Sequence, residues 1–152
     1  MALDAHGLPI GRSDLVALRS RLLSLGGRDL VGGGRLAVEF EPAGVAFLLA
    51  NGRAFEGASA RVIRGEPSRC HENAQLYARL HPAAIWWAGL ALSDDGLWRS
   101  HSWVMTSHGA LIETTERRLR YFGIPAALDP VFADEFSPAD RTRIRRRFGR
   151  GA

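Results

Sequence analysis

Three residues in the middle of the chain have the types and spacing of a nucleophile, a base and an orienting acid: Cys70, His101 and Glu113. Cys70 is the single cysteine. It stands in the first turn of a helical stretch running from Arg69 to about Leu80, with Ser68 in the position of an N-cap. A thiol attacks only as thiolate, and the unpaired N–H groups and positive dipole end of a helix start favour that form. His101 and Glu113 lie on two extended runs, WRSHSWVMT (98–106) and ALIETT (110–115), joined by Ser107-His108-Gly109. A three-residue hairpin loop with glycine in the left-handed position sets Thr106 opposite Ala110. Trp103 then faces Glu113 and His101 faces Thr115. His101 and Glu113 become diagonal neighbours on one face, about 7–8 Å apart at the backbone, a gap that a glutamate side chain bridges. A two-residue loop would send them to opposite faces. The chemistry such a set performs is acyl transfer: Cys70 attacks, His101 carries the proton, and Glu113 holds the imidazole tautomer.

Other residues compete for roles or support these. The Cys70 backbone N–H is one oxyanion donor; Asn51 and Asn73 are candidates for the second. Asn73, three residues after Cys70, shares its side of the helix and supports the site. Trp103 walls the site against water. His71 points about 100° around the helix from Cys70 and is expected to be exposed, and His108 sits at a loop tip. A zinc site using Cys70, His101 and a further histidine lacks the paired-ligand spacing that makes such motifs specific. The ordinary fate of a lone cysteine is that of a small buried hydrophobe; the hairpin geometry is what argues for more.

The remaining elements must position these groups. The chain opens irregularly over residues 1–12. A first helix follows Ser13, with Leu15, Leu18, Leu22 and Leu25 forming one stripe and Gly26-Gly27 ending it. Gly32, Gly33 and Gly34 form a link without the spacing of a phosphate loop. RLAVEF (35–40) and VAFLLA (45–50), separated by Pro42-Ala43-Gly44, read as a hairpin, and ASARVIR (58–64) as a further strand. The helix from Arg69 ends near His81, because Pro82 disfavours helix at the residue before it. AIWWAGLAL (84–92) is a dense strand-forming run. YFGIPAALDPVF reads as a packed loop. Ser137-Pro138-Ala139-Asp140 starts a last, arginine-rich helix over 137–149. The order of elements implies an α+β arrangement with an antiparallel sheet.

Length and composition bound the rest. The chain has 152 residues, 46% of them hydrophobic, which fits one domain over 1–152 with an ordinary core. One cysteine leaves no internal disulfide and favours a reducing compartment. No signal peptide and no membrane-length apolar run is evident, so the chain reads as soluble and cytoplasmic. The net charge of +4 comes from arginine alone, which the codon bias of a GC-rich genome explains. Arg141, Arg143, Arg145, Arg146, Arg147 and Arg150 form a cluster that could touch nucleic acid. No recognition helix or stacking-aromatic motif accompanies it, and a solvated helix is the plainer reading. Arg69, Arg99, Arg117, Arg118 and Arg120 would suit a carboxylate-bearing substrate, or simply solvate the surface.

Over residues 68–115 the chain resembles the transglutaminase-like branch of the papain-like cysteine enzymes. The parts of that resemblance are a cysteine opening a helix with an alanine-bearing face (CHENAQLYARL), a strand carrying a glycine (Gly89 in WWAGLAL), a His-Ala-Trp-Val-like strand (His101-Ser102-Trp103-Val104), and an acid at Ile112-Glu113-Thr114-Thr115. Glutamate stands where aspartate is usual, Leu90 replaces a common aromatic, and Ser68-Arg69 replaces the familiar tryptophan or glycine. The resemblance implies N-terminal helices and a catalytic helix packed on an antiparallel sheet. It also implies acyl chemistry on a peptide or small amide or ester, as a peptidase, amidase, deamidase or acyltransferase. No metal or organic cofactor is implied. The alternative is a non-catalytic binding module of the same fold, serving as a partner or scaffold.

Overall fold

The structure, a computed structural model, describes residues 12–30 and 42–149. Helix α1 (Arg12–Leu25) is followed by the short strand β1 (Asp29–Leu30), helix α2 (Pro42–Asn51), and strands β2 (Arg53–Glu56) and β3 (Arg61–Val62). Helix α3 (Cys70–Leu80) leads into β4 (Ile85–Leu92), β5 (Leu97–Met105), β6 (Leu111–Glu113) and β7 (Arg120–Pro125). Two 3-10 turns, Ala126–Leu128 and Ala133–Glu135, precede helix α4 (Pro138–Gly149). The run 35–40, the glycine triplet and residues 1–11 lie outside the described residues.

The α+β class holds, but the sheet is mixed rather than antiparallel. Its strand order is β2-β7-β4-β5-β6-β3, with β1 added beside β5. The β1–β5 and β3–β6 pairs are parallel and the others antiparallel. The outermost strands of the path, β2 and β3, are joined by only Gly57–Ala60. A flat row of six strands would separate them by about 24 Å, while that link spans at most about 18 Å. The sheet therefore curls. The link is pinned in place by Gly57 N–H on the Leu119 carbonyl and by an Arg117 guanidinium on the Ala60 carbonyl, both 2.9 Å. The inner face holds Trp87, Ala91, Trp103, Met105, Leu111 and Tyr121, with Ala60 and Phe55 packed against them. On the outer face, α1 and α2 cover Leu90, Leu92, Trp98, Phe122 and Ile124. Helix α3 lays Ala74 on Trp86, Ala88, Val104 and Ile112. Because both faces are covered there, the central strand β4 reads as a continuous apolar run rather than as an alternating one.

Two elements differ from the sequence expectation. Residues 45–50 are helical, not a strand. Pro42 begins α2 and Gly52 follows its end, the usual asymmetry of a short helix. Val45 and Leu48, three apart, are its buried contacts. Residues 121–125, expected as part of a packed loop, belong with Arg120 to β7, an internal strand between β2 and β4. The glycine that masked it has a reason to be there. Gly123 sits opposite Gly89, and a Cβ on Gly123 would stand 2.6 Å from Trp103 and 2.4 Å from the Ala88 carbonyl. Gly89 is equally constrained: its Cβ would lie 2.2 Å from the Phe122 carbonyl and 2.5 Å from the Gly123 Cα. Gly89→Ala should therefore cost about 1–3 kcal/mol through overpacking. It should lower the urea midpoint at unchanged m-value.

Candidate active site

Helix α3 brings Cys70 to the sheet. Cys70, Ala74 and Ala78 lie four residues apart on one stripe. Ala74 is fully buried, so this stripe, with its small residues, packs down on β4 and β5. The helix starts at Cys70 itself. Ser68 is not its cap: Ser68 adopts φ 60°, and Arg69 occupies the cap position with no side-chain hydrogen bond to the helix. Asn73 does the local organising instead. Its carboxamide donates to the Glu66 carbonyl (2.8 Å) and accepts from the Glu66 N–H (3.1 Å), clamping the loop ahead of the thiol. Its carboxamide is turned to that loop and is not part of the lining of the cleft over Cys70, which makes it a supporting residue. Asn51 is remote in function: its amide donates to Phe47 O (3.1 Å) at the end of α2.

The β5–β6 connection has the odd length that the site requires. Gly109 takes φ +82°. Thr106 N–H bonds the Ala110 carbonyl at 2.9 Å, and Val104 pairs with Ile112. His101 and Glu113 consequently share the inner face, and His101 Nε2 lies 2.7 Å from Glu113 Oε1. Glu113 is 0% exposed and His101 2%. All the lone-pair directions of the carboxylate are used: Tyr121 O–H also donates to Oε1 (2.8 Å), while Thr115 N–H (2.8 Å) and Oγ1 (3.0 Å) donate to Oε2. Trp103 lies beneath His101 within the curl, ring centroids 6.4 Å apart and 24° from parallel, so it packs below the imidazole rather than walling an open cleft.

Where β5 meets α3, one edge of the strand is free. β1 pairs with Leu97 and Trp98, and β6 with Val104 and Met105. Between them, among the described residues, Arg99–Ser102 has no strand partner on that side. The thiol stands beside this stretch, on one cleft lining with His101, near enough for the His101 side chain and the Ser102 backbone N–H to lower its pKa. Since Nε2 of His101 is taken by Glu113, Nδ1 is the nitrogen left to face sulfur.

The charges reinforce one another. Burial pushes the Cys70 thiol up and Glu113 adds to that, but His101 and the Ser102 N–H outweigh both and hold it below its ordinary value. Burial pulls His101 down, yet its bonds to Cys70 and Glu113 leave it above the ordinary imidazole range. Burial raises the Glu113 carboxyl, and His101, Thr115 and Tyr121 bring it below the usual range. Burial and the Glu113 charge push the Tyr121 phenol up, so it stays a donor. A thiol lowered and an imidazole raised both shift the balance towards a thiolate–imidazolium pair.

Sequence reasoning missed Ser102, His71 and Tyr121. His71, expected to be exposed, is half-buried, with Nδ1 on Ser102 Oγ and its ring 5.1 Å from Phe132. Ser102 Oγ also accepts from Trp86 Nε1 at 2.9 Å. Indole is a donor only, so the Ser102 proton is free to point at His71. Burial, with the nearby His101, lowers His71, in keeping with a neutral ring that accepts that proton. This network fixes Ser102, whose backbone N–H helps to lower the thiol pKa. The available signal was the placement of Ser102 between His101 and Trp103 on β5, a polar residue facing the helix. Among the described residues, no three His, Cys, Asp or Glu side chains are grouped as a metal site would need, and no helix is long and apolar enough to cross a membrane.

No protein-family model, curated protein or solved structure matches this chain.

Proposed function

We propose that the chain is a cysteine-dependent enzyme of acyl chemistry, transglutaminase-like in plan, acting on an amide or ester through a thioester on Cys70. The observation that carries this reading is the meeting of a thiol at a helix start with a buried imidazole–carboxylate pair. The Cys70 thiolate attacks the carbonyl carbon, and the negative charge moves to the carbonyl oxygen. The Cys70 N–H, unpaired at the first helical position, donates to that oxygen. The tetrahedral adduct collapses as the leaving amine or alkoxide takes the His101 proton, giving the thioester. Water, or an acceptor amine, then loses a proton to His101 and attacks the thioester. The acid or new amide departs and the Cys70 sulfur returns as thiolate, with His101 again protonated. Glu113 keeps the proton-carrying Nε2 edge of the ring directed at itself throughout.

The test uses p-nitrophenyl acetate, whose good leaving group permits acylation without a matched substrate. Nitrophenolate release should be accompanied by an acetyl adduct on Cys70, seen by intact-mass and peptide mapping. Cys70→Ala should remove the adduct, and His101→Ala should slow its formation at least a hundredfold, the scale of general acid–base contributions. Acetylation that falls on other residues and ignores both substitutions would sink the proposal.

A further inference from the structure

A cleft of about 370 Å³ opens over the thiol, and its lining includes Cys70, His101, Arg64, Arg99, Arg118 and Glu116. The three guanidiniums are not equivalent. Arg99 is neutralised by Asp95 through two bonds of 3.0 and 2.7 Å. Arg118 is half-buried and bonded only to neutral acceptors: Nε donates to the Glu116 carbonyl and Nη1 to Ser93 Oγ, each 3.0 Å. Those two bonds fix the plane of the guanidinium while leaving Nη2 and one Nη1 hydrogen unused, the fork that carboxylates and phosphates accept. Its backbone is also tied to the candidate triad. The Arg118 N–H donates to the Tyr121 hydroxyl (3.1 Å), which donates to Glu113 Oε1 (2.8 Å). Arg64 is exposed and has no carboxylate partner among the described residues. Against these stands Glu116, an exposed carboxylate on the same lining.

We infer that this cleft takes acyl substrates bearing an anionic group, a carboxylate or similar oxyanion, away from the reacting carbonyl, with Arg118 and Arg64 as its binding residues. The inference rests on the proposed nucleophilic role of Cys70 and adds the substrate class. Arg118 is the stronger partner, because its geometry is set before a ligand arrives and little side-chain freedom is lost on binding. Arg64 extends the positive field towards solvent.

Two small thiol reagents of nearly equal size test it, neutral iodoacetamide and anionic iodoacetate. In each, the Cys70 sulfur forms a bond to the methylene carbon and iodide leaves. The quantity read is the ratio of iodoacetate to iodoacetamide rate constants at Cys70, near pH 6 and low salt, relative to the same ratio for N-acetylcysteine amide. The expected ratio is about fivefold above the reference, the scale of one unit-charge contact in water, and it should shrink at about 0.5 M salt. Arg118→Gln and Arg64→Gln should each lower it, whereas Arg143→Gln, on exposed α4, should not. Among the described residues Arg64 has no side-chain partner and it is exposed, so its substitution leaves the fold intact even if that of Arg118 does not. A ratio equal to the reference overturns the inference while fast iodoacetamide labelling leaves the nucleophile standing. A raised ratio that survives both substitutions also overturns it, assigning the preference to the His101 imidazolium. Iodoacetamide labelling no faster than the reference thiol would instead remove the nucleophile, and this inference with it.

Discussion

In a His101→Ala variant, Cys70 should react with iodoacetamide as an ordinary thiol does, its rate rising about tenfold per pH unit up to the thiol pKa. The native protein should instead show a rate that is already high in mildly acidic solution and nearly flat from there to neutrality. The reason is the direction of the two shifts: the thiol lies below its ordinary value and the imidazole above, and each shift favours the reactive ion pair over the neutral pair. An ordinary thiol with a pKa of about 8.5 is roughly 0.3% thiolate near pH 6. Complete ionisation would raise the reactive fraction about 300-fold. A less basic thiolate is a weaker nucleophile, with a Brønsted slope of about 0.4–0.5, which returns more than an order of magnitude. The net advantage near pH 6 is thus about tenfold in alkylation, and the change in slope is the firmer signature. The variant must lose the flat region, not merely react more slowly. Stability moves in a matching direction. A raised His101 contributes stability that is fully present below its unfolded value, about 6.5, and is lost as pH rises through the folded value. Circular dichroism melts of the native protein should therefore show this contribution fading on the alkaline side, and those of the variant should lack that dependence. A native protein whose Cys70 reactivity tracks that of an unfolded thiol at every pH would remove the ion pair from the account.

Much of this site was legible because it depends on parity and period. Three residues between Thr106 and Ala110, one of them glycine, put His101 and Glu113 on the same face, and no tertiary information was needed for that step. The stripe of Cys70, Ala74 and Ala78 likewise follows from helical period. What escaped was decided by packing. VAFLLA carries the composition of a strand as well as of a helix, and its neighbours α1 and β7 decide for helix. The segment Tyr121–Pro125 carries a glycine and a proline that advertise a loop, yet the glycine is there because the strands approach closely at Gly89, and the proline closes the strand. Ser68 has the residue type of a cap but sits at φ 60°, since the loop before α3 is held by Asn73. The burial of His71 depends on Phe132, sixty-one residues away, and local pattern does not see it. The curl itself follows from which strands are outermost, a property of topology that no window of sequence contains.

The substitution with the broadest consequences is Glu113→Gln, which preserves size and removes one acceptor. Each carboxylate oxygen takes two donors: Oε1 from His101 and Tyr121, Oε2 from Thr115 N–H and Oγ1. An amide must present its NH₂ to one of these pairs. Turned towards Thr115, it meets a backbone N–H that cannot reverse, and a buried donor is left facing a donor. Turned towards His101, it can be accepted only if the imidazole gives up its Nε2 proton and holds one on Nδ1, the nitrogen that faces sulfur. The second orientation is the cheaper, since a ring tautomer and the Tyr121 hydroxyl can both adjust. It is also the one that ends catalysis, because a protonated neutral Nδ1 cannot take a proton from the thiol. Wrong-tautomer substitutions of this kind cost serine proteases about 10⁴ in rate. For a site at work here, a loss of 10³ or more in thioester formation on Cys70 is expected. Stability should fall by about 2–4 kcal/mol, the range between an unmet buried hydrogen bond and a broken buried ion pair. The acid limb should change as well. Glu113 lies below its ordinary range, so its contribution is present above about pH 4.3 and is lost as pH falls through the folded value. The glutamine variant should lack that portion of the acid transition. Urea titrations at neutral and acid pH would show this as a gap between native protein and variant that narrows on acidification. A gap that stays constant with pH would mean that residue 113 is held by its shape alone, and that its charge does not orient the imidazole.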